Sequence, residues 1–419
     1  MEHLFEAASF TGYVYPNETV FPWGVLIVIY PYLTGLVAGA FTISSLYQVF
    51  GVQSLKPVAH FALLSSLCVM LFVPTPLLLH LGHPERAFNA MLTPHVTSAM
   101  AMFSYAASFY ILLLMTETWF VFREHIVHQA QHLKGIPGLF YRALTLGSYD
   151  LSEKAMHYDR KWIYALSAIG IPAACGLHGY VGFLFGSLKS REWWSSDLMP
   201  PIFLLSAIVS GTALTIVLYV VACKLRRTTV VLDCLKMMTH VLWGFLIVAL
   251  VLEGLEFGSL VYKAREGIDV ILQFVTGPLL VPFWIMQFSI GAVLPIFILT
   301  VMFWRKTTGR NLIIGATVCG ILALFEVLMM RTNVVIGGQD ISKTGKGLLS
   351  FPWVFMGREG IFAAAAVLIA PFILLLGMVR VFPPWGEEPT GREELDFTDP
   401  CAPTLAQLMV DRDLSRSEE

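Results

Sequence analysis

Apolar residues run through this chain in blocks of about twenty positions, the length a helix needs to cross the hydrocarbon of a bilayer. Nine such blocks stand out, at 23–49, 60–81, 98–121, 162–185, 198–222, 237–262, 281–303, 312–330 and 360–381. Within them the polar residues show neither the alternation of a half-buried strand nor the polar face of a water-exposed helix. The pattern predicts an all-α, polytopic integral membrane protein with about nine (eight to ten) transmembrane helices. The segment 270–280 is left as a partial or re-entrant element.

Composition supports lipid as the main solvent. Of 419 residues, 56% are hydrophobic and only 13% charged, against about 25% charged in soluble domains. The formal net charge of −2 offers no basic patch for nucleic acid, and the glycines form no phosphate-binding or dinucleotide fingerprint. The cysteines Cys68, Cys175, Cys223, Cys234, Cys319 and Cys401 show no CxxC spacing, so no zinc or iron–sulfur site is readable in the chain. The first twenty residues carry Glu2, Glu6 and Glu18 and lack the basic, apolar and small-residue order of a cleaved leader. The first apolar block is therefore expected to stay as a span.

Orientation follows from lysine and arginine. One set of loops holds Lys56, Arg123, Lys134, Arg142, Lys154, Arg160, Lys161, Lys224, Arg226, Arg227, Lys236, Arg305, Lys306, Arg310 and Arg380. The opposite set, with Arg86, Lys189, Arg191, Lys263, Arg265, Arg331, Lys343, Lys346 and Arg358, is smaller. The first set should face the cytoplasm, with the N-terminus outside and the acidic tail 387–419 inside. The loop from Arg123 to Lys161, rich in histidine and punctuated by glycine and proline, reads as a solvated cytoplasmic connection.

Ionisable groups inside a span are costly and mark function by default. Here they collect toward the external ends. Glu253 and Glu256 share one face of the sixth span, and Glu326 precedes Arg331 on the eighth. His178 sits between glycines on the fourth, and the second ends in His80, His83, Glu85 and Arg86. A layer of this kind suits a substrate that carries both electrons and protons. Gly35 and Gly39 on the first span, with Ser206, Ser210 and Gly211 on the fifth, read instead as close helix packing. Solute transport would favour broken helices and inverted halves at the midplane, and no internal repeat is visible. A di-haem cytochrome would carry two histidines on each of two facing helices, a spacing missing here. A structural anchor for redox subunits remains a further class.

Four short pieces carry a resemblance. They are Phe21-Pro22-Trp23-Gly24, Leu81-Gly82-His83-Pro84-Glu85-Arg86, Gly182-Phe183-Leu184-Phe185-Gly186 leading to Trp193 and Trp194, and Arg331 through Gly337-Gly338-Gln339. In this order, and on the predicted external side, they resemble the NrfD/PsrC family of polysulfide reductase membrane subunits from Phe21 to about Val381. Among its members the chain is read as most similar to the membrane subunit of menaquinone reductase (Qrc) complexes, although His83 stands where an arginine is common.

The resemblance implies a location in the bacterial inner membrane and a menaquinone headgroup bound near the external face, with no haem or iron–sulfur cluster in the chain itself. Its partners would be an iron–sulfur subunit docked on the periplasmic side and further cytochrome c or molybdopterin-like subunits. Quinone reduction is the favoured direction, with quinol oxidation as the alternative.

The implied organisation is two four-helix bundles plus an extra helix. An external segment 1–22 leads to a first bundle 23–185 holding the quinone, then a second bundle 186–333. An external loop with the last helix, 334–381, and an acidic cytoplasmic tail, 382–419, follow. His178, His80 and His83 are the candidate catalytic proton donors, because quinone chemistry needs a donor that titrates near working pH. Trp23, Tyr30, Glu85, Arg86 and His178 are the candidate cofactor-binding residues. Glu253, Glu256, Glu326 and Arg331 are the candidate proton path from the cytoplasm, bridged by Ser210, Thr212, Thr215 and Gln287.

Overall fold

In lipid every backbone N–H and C=O must be satisfied within the chain, which leaves helices as the economical spanning element. The computed structural model describes residues 21–95, 97–264, 268–343 and 347–385. Among these are 9 helices long and apolar enough to cross a membrane, as the hydrophobic blocks predict. We number them α1 (Val25–Gln48), α2 (Lys56–Phe72, continuing as Pro74–His80), α3 (Ala99–His132), α4 (Glu153–Gly186), α5 (Met199–Arg226), α6 (Leu232–Lys263), α7 (Leu280–Trp304), α8 (Gly309–Val335) and α9 (Ile361–Val381). The end of the molecule at which α1 begins is called external below, following the charge distribution.

Several helices outrun their apolar blocks. Helix α3 continues through Arg123 to His132, a short helix follows at Gly135–Leu144, and α4 starts at Glu153. Most of the expected cytoplasmic loop is thus helical, because its polar residues are good helix formers once past the bilayer. The hydroxyls of Ser98 and Ser152 cap α3 and α4 by accepting the N–H groups of Ala101 and Ala155. The segment read as re-entrant holds a short helix, Ile268–Thr276.

Two irregularities shape the interior. Pro74 and Pro76 interrupt α2, and its external piece packs on α1, whereas Lys56–Phe72 also packs on α3. In α7 the turn is widened, so that Leu294 N–H reaches Ser289 O and Ser289 Oγ donates to Trp284 O, five residues back in each case. The widened stretch carries Gly291 onto α8, where a Cβ would sit 2.5 Å from that of Glu326.

Helix α1 is the hub: 94% of its apolar window is buried, against 22% for peripheral α9. It packs on α2, α4, α5 and α8, while α5 in turn packs on α4, α6 and α8. The groups α1–α4 and α5–α8 therefore meet along α1 and α5 rather than standing apart. Small residues make that seam, as their spacing predicts. A methyl at Gly39 would collide with the Ala207 carbonyl, and one at Gly211 with the backbone of Gly39 and Ala40.

Candidate functional site

Across this seam the structure joins two residues that the sequence assigned to separate bundles. Arg331 of α8 is fully buried, and its Nη2 donates to His178 Nε2 of α4 at 3.1 Å and to Ser206 Oγ of α5 at 2.6 Å. Its guanidinium also stacks over Phe203, 3.7 Å from the ring centre. Arg331 thus spends its donors on His178, Ser206 and the Phe203 carbonyl rather than on Glu326, the partner suggested by proximity in sequence. His178 is itself 0% exposed, with Nε2 engaged and Nδ1 unpartnered.

Five residues before Gly35, against which the His178 ring rests, α1 carries Tyr30. The Tyr30 ring meets Phe103 edge-on, and Phe103 stacks on Tyr180. The Tyr30 hydroxyl is buried and has no hydrogen-bond partner, an expensive arrangement inside protein or lipid. The external half of α2 packs on α1. Leu71, Leu78, Phe88, Leu92 and Met100 are exposed on α2, on the segment that follows it and at the start of α3, the stretch called the α2–α3 wedge below.

A separate, partly open cavity of about 70 Å³ lies among α5, α6, α7 and α8, lined by Trp193, Glu253, Glu256, Phe257, Phe283 and Asn333 among others. Gln287 holds its polar wall together: its Nε2 donates to Glu253 Oε2, and its Oε1 accepts from Asn333 Nδ2, both at 2.8 Å. Glu256 lines the same space, and Glu326 is buried on α8 against Gly291 of α7. Toward the end opposite the external one the packing turns apolar, with Ala323, Cys319, Ala316, Leu242, Leu246 and Leu299 at 0–1% exposure. Ser210 and Thr215, expected to bridge that gap, donate to carbonyls of their own helix.

The remaining predicted residues lie at the external surface. His80 Nδ1 pairs with Glu359 Oε1 at 3.1 Å, and His83 pairs with Glu85, both exposed. Arg86 is exposed as well. Trp23 is half-buried, stacked on Trp194 at 5.0 Å and edge-on to Phe185. Two buried carboxylates escaped the sequence reading: Asp159, paired with Arg123, and Glu117, 0% exposed on α3. Its neighbours Thr116 and Thr118 and the nearby Arg123 give it the look of a helix end approaching water.

Comparison with known proteins now bears on this arrangement. The profile described as "Polysulphide reductase, NrfD" matches residues 15–342, most of the chain. The chain belongs to the NrfD family. It is 32% identical to a selenate reductase subunit of Mesobacillus selenatarsenatis over 75% of this chain and 73% of that protein. It is 23% identical to the Hdr-like menaquinol oxidoreductase integral membrane subunit of Archaeoglobus fulgidus, covering 76% and 71% of the two chains. Protein NrfD of Escherichia coli is 25% identical over 76% of this chain and 95% of its own length. These relatives are membrane subunits of oxidoreductase complexes, and a redox role in a multi-pass membrane protein follows for the chain.

The structure gives a physical reason for most of the pieces that carried the NrfD resemblance. Trp23 N–H donates to Gln339 Oε1 at 3.0 Å, and Gln339 Nε2 returns to Trp23 O at 2.8 Å. Trp194 Nε1 donates to Val334 O at 2.6 Å, and Arg191 Nη1 to the Gly338 and Ile341 carbonyls, both at 3.0 Å. Gly338 leaves room for the Trp194 indole, and Gly182 for the start of α5. These pieces form an external clamp that ties α1, α4, α5 and α8 together. The Leu81–Arg86 piece stands apart, held by Arg358 Nη2 donating to Leu78 O and Leu81 O.

Proposed function

We propose that this NrfD-family chain is the quinone-interacting subunit of a respiratory redox complex in the bacterial inner membrane. It exchanges electrons between menaquinone and an iron–sulfur subunit docked on the external, periplasmic face. The observation that carries this reading is the buried, unpartnered Tyr30 hydroxyl, whose ring packs edge-on against Phe103 of α3. A quinone supplies two-electron, two-proton chemistry, and its carbonyl oxygen is an acceptor that such a hydroxyl lacks. Phe103 and Tyr180 offer aromatic walls, and the exposed apolar residues of the wedge offer an exit for an isoprenoid tail.

In this reading Tyr30 donates to the headgroup, and His178, about 7 Å deeper along the helix axis, relays protons with its ring fixed by Arg331. His80, His83, Glu85 and Arg86 belong to the external rim, where further cytochrome c or molybdopterin-like subunits would also assemble. The menaquinol assignment of the Archaeoglobus relative supports the ligand class. Glu253, Glu256 and Glu326, with Arg331 behind them, exchange protons with the external side through the α5–α8 cavity, since the packing below them is apolar.

A photoreactive menaquinone analogue tests the location. Labelled peptides from α1, α3 and the external piece of α2 would support the wedge. A second reading puts the headgroup in the α5–α8 cavity, which combines aromatic walls with carboxylate and amide groups. Labelling confined to α6 and α7 would decide for that cavity, and no competable labelling would leave a structural anchor.

A further inference from the structure

The first bundle holds a buried polar column of which the quinone site uses only the external end, Tyr30 and His178. Helix α3 buries Phe103, Ala107, Tyr110, Leu114 and Glu117 on one face, the spacing of a continuous seam. Helix α4, running the opposite way, brings Ser167, Ala174 and His178 to it. At the cytoplasmic end of this seam Glu117 Oε1 accepts from Ser167 Oγ at 2.5 Å, while Glu117 Oε2 has no partner. One stretch outward Tyr110, 1% exposed, also has an unpartnered hydroxyl, and Phe41 of α1 packs edge-on against its ring. Farther outward come His178 Nδ1 and the Tyr30 hydroxyl, both unpartnered.

Native interiors rarely leave several polar atoms unsatisfied in one place. Here four lie on three neighbouring helices of the first bundle, at successive heights by helix position: Glu117 Oε2 and Tyr110 OH on α3, His178 Nδ1 on α4 and Tyr30 OH on α1. By helix rise, Glu117 to Phe103, the ring against Tyr30, spans about 21 Å. On the cytoplasmic side the nearest charged pair is Arg123 with Asp159, joined at 2.5 Å and tied to Ser148 and the Asp150 carbonyl. It lies about 9 Å beyond Glu117 along α3. Ser167 supplies the hydrogen bond the structure gives this carboxyl. No lysine or arginine neutralises Glu117 within an ion-pair distance among the described residues.

We propose that the α3–α4 seam is a proton conduit linking the cytoplasmic side to the Tyr30 wedge, with Glu117 as the carboxyl that carries the proton and Tyr110 and His178 as the next relays. This rests on the quinone reading for its destination. The balance is that of the quinone couple: two electrons exchanged with the partner's iron–sulfur carrier accompany two protons. Each proton leaving Glu117 toward Tyr110 is replaced from the cytoplasm on reduction, and the order reverses on quinol oxidation. A cytoplasmic route to an externally placed electron donor makes turnover electrogenic. It also assigns the cytoplasmic proton supply to the first bundle, where the apolar lower half of α5–α8 gives none.

The test uses the assembled complex in liposomes carrying an internal pH dye, with infrared spectra of the same preparations. Glu117→Gln keeps the Ser167 hydrogen bond and removes the titratable proton, whereas Glu117→Asp keeps a carboxyl. Quinone-linked proton exchange with the cytoplasmic side should fall by about a hundredfold in the first and survive in the second. A carboxyl C=O band in the resting spectrum should disappear only in Glu117→Gln. Equal exchange rates in the two variants, or an unchanged band in Glu117→Gln, would overturn the conduit. Absence of quinone binding by the unmodified complex would instead count against the quinone reading, and is measured separately.

Discussion

The hydrogen bond between Arg331 and His178 joins helices 153 residues apart, and a double-mutant cycle measures what it contributes. Replacing Arg331 by Met and His178 by Leu removes the polar groups while keeping comparable volume. Interhelical hydrogen bonds in bilayers average about 0.6 kcal/mol and reach about 1.7. A charged donor roughly doubles a neutral bond, so a coupling of about 1–3 kcal/mol is expected at the observed 3.1 Å. Arg331→Met should lose more than this, because it also removes the bond to Ser206 and the contact with the Phe203 ring. The assay is reversible unfolding in mixed micelles for the four proteins of the cycle. A coupling below about 0.3 kcal/mol, the scatter of independent sites, would refute the claim that this bond locks α4 to α8.

Other expectations follow from single contacts. Tyr30→Phe should weaken menaquinone binding by about tenfold, the worth of one hydrogen bond, and an unchanged Kd in a quench titration would remove Tyr30 from the site. Gly39→Leu should destabilise by about 1–3 kcal/mol through overpacking against Ala207 and Gly211, read as an earlier unfolding midpoint. Arg86→Glu should weaken docking of the proposed external partner subunit while leaving menaquinone affinity unchanged, because Arg86 is exposed; co-purification yield reports it. Asp150 accepts the Ser152 N–H, which holds its carboxyl below the usual range with the Arg123 charge adding to the effect. A depressed folded value stabilises at neutral pH and is lost as acid drives the pH down through it. Asp150→Asn should therefore flatten the acid limb of a melting-temperature profile, and an unaltered limb would exclude that contribution.

Much of this architecture was legible in the chain because lipid imposes a length and a polarity on every span. The helices follow from local composition alone, and Gly39 and Gly211 were legible as packing positions though not as partners of one another. Helix ends were less legible: past the bilayer, α3 and α4 run on in polar sequence that carries no hydrophobic period. The break in α2 at Pro74 lies inside an apolar block, where hydropathy is blind to it. Among site residues, the carboxylates of α6 and α8 were visible as charges in apolar surroundings. Glu117 was equally charged, yet it lies six residues from Arg123 and passes for an interface residue. The pairing of His178 with Arg331 depends on how α1 and α5 cross, which no local pattern encodes. The Leu81–Arg86 turn shows the opposite error, since its histidine, glutamate and arginine lie on an exposed rim.

The claim that this chain handles quinone is tested most directly by fluorescence-quench titration of the purified protein with a menaquinone analogue, without its partner subunits. The account predicts saturable binding at one site per chain, displaced by a headgroup inhibitor and weakened by Tyr30→Phe. Binding that is linear in added quinone, insensitive to inhibitor and identical in the Tyr30→Phe protein would contradict it.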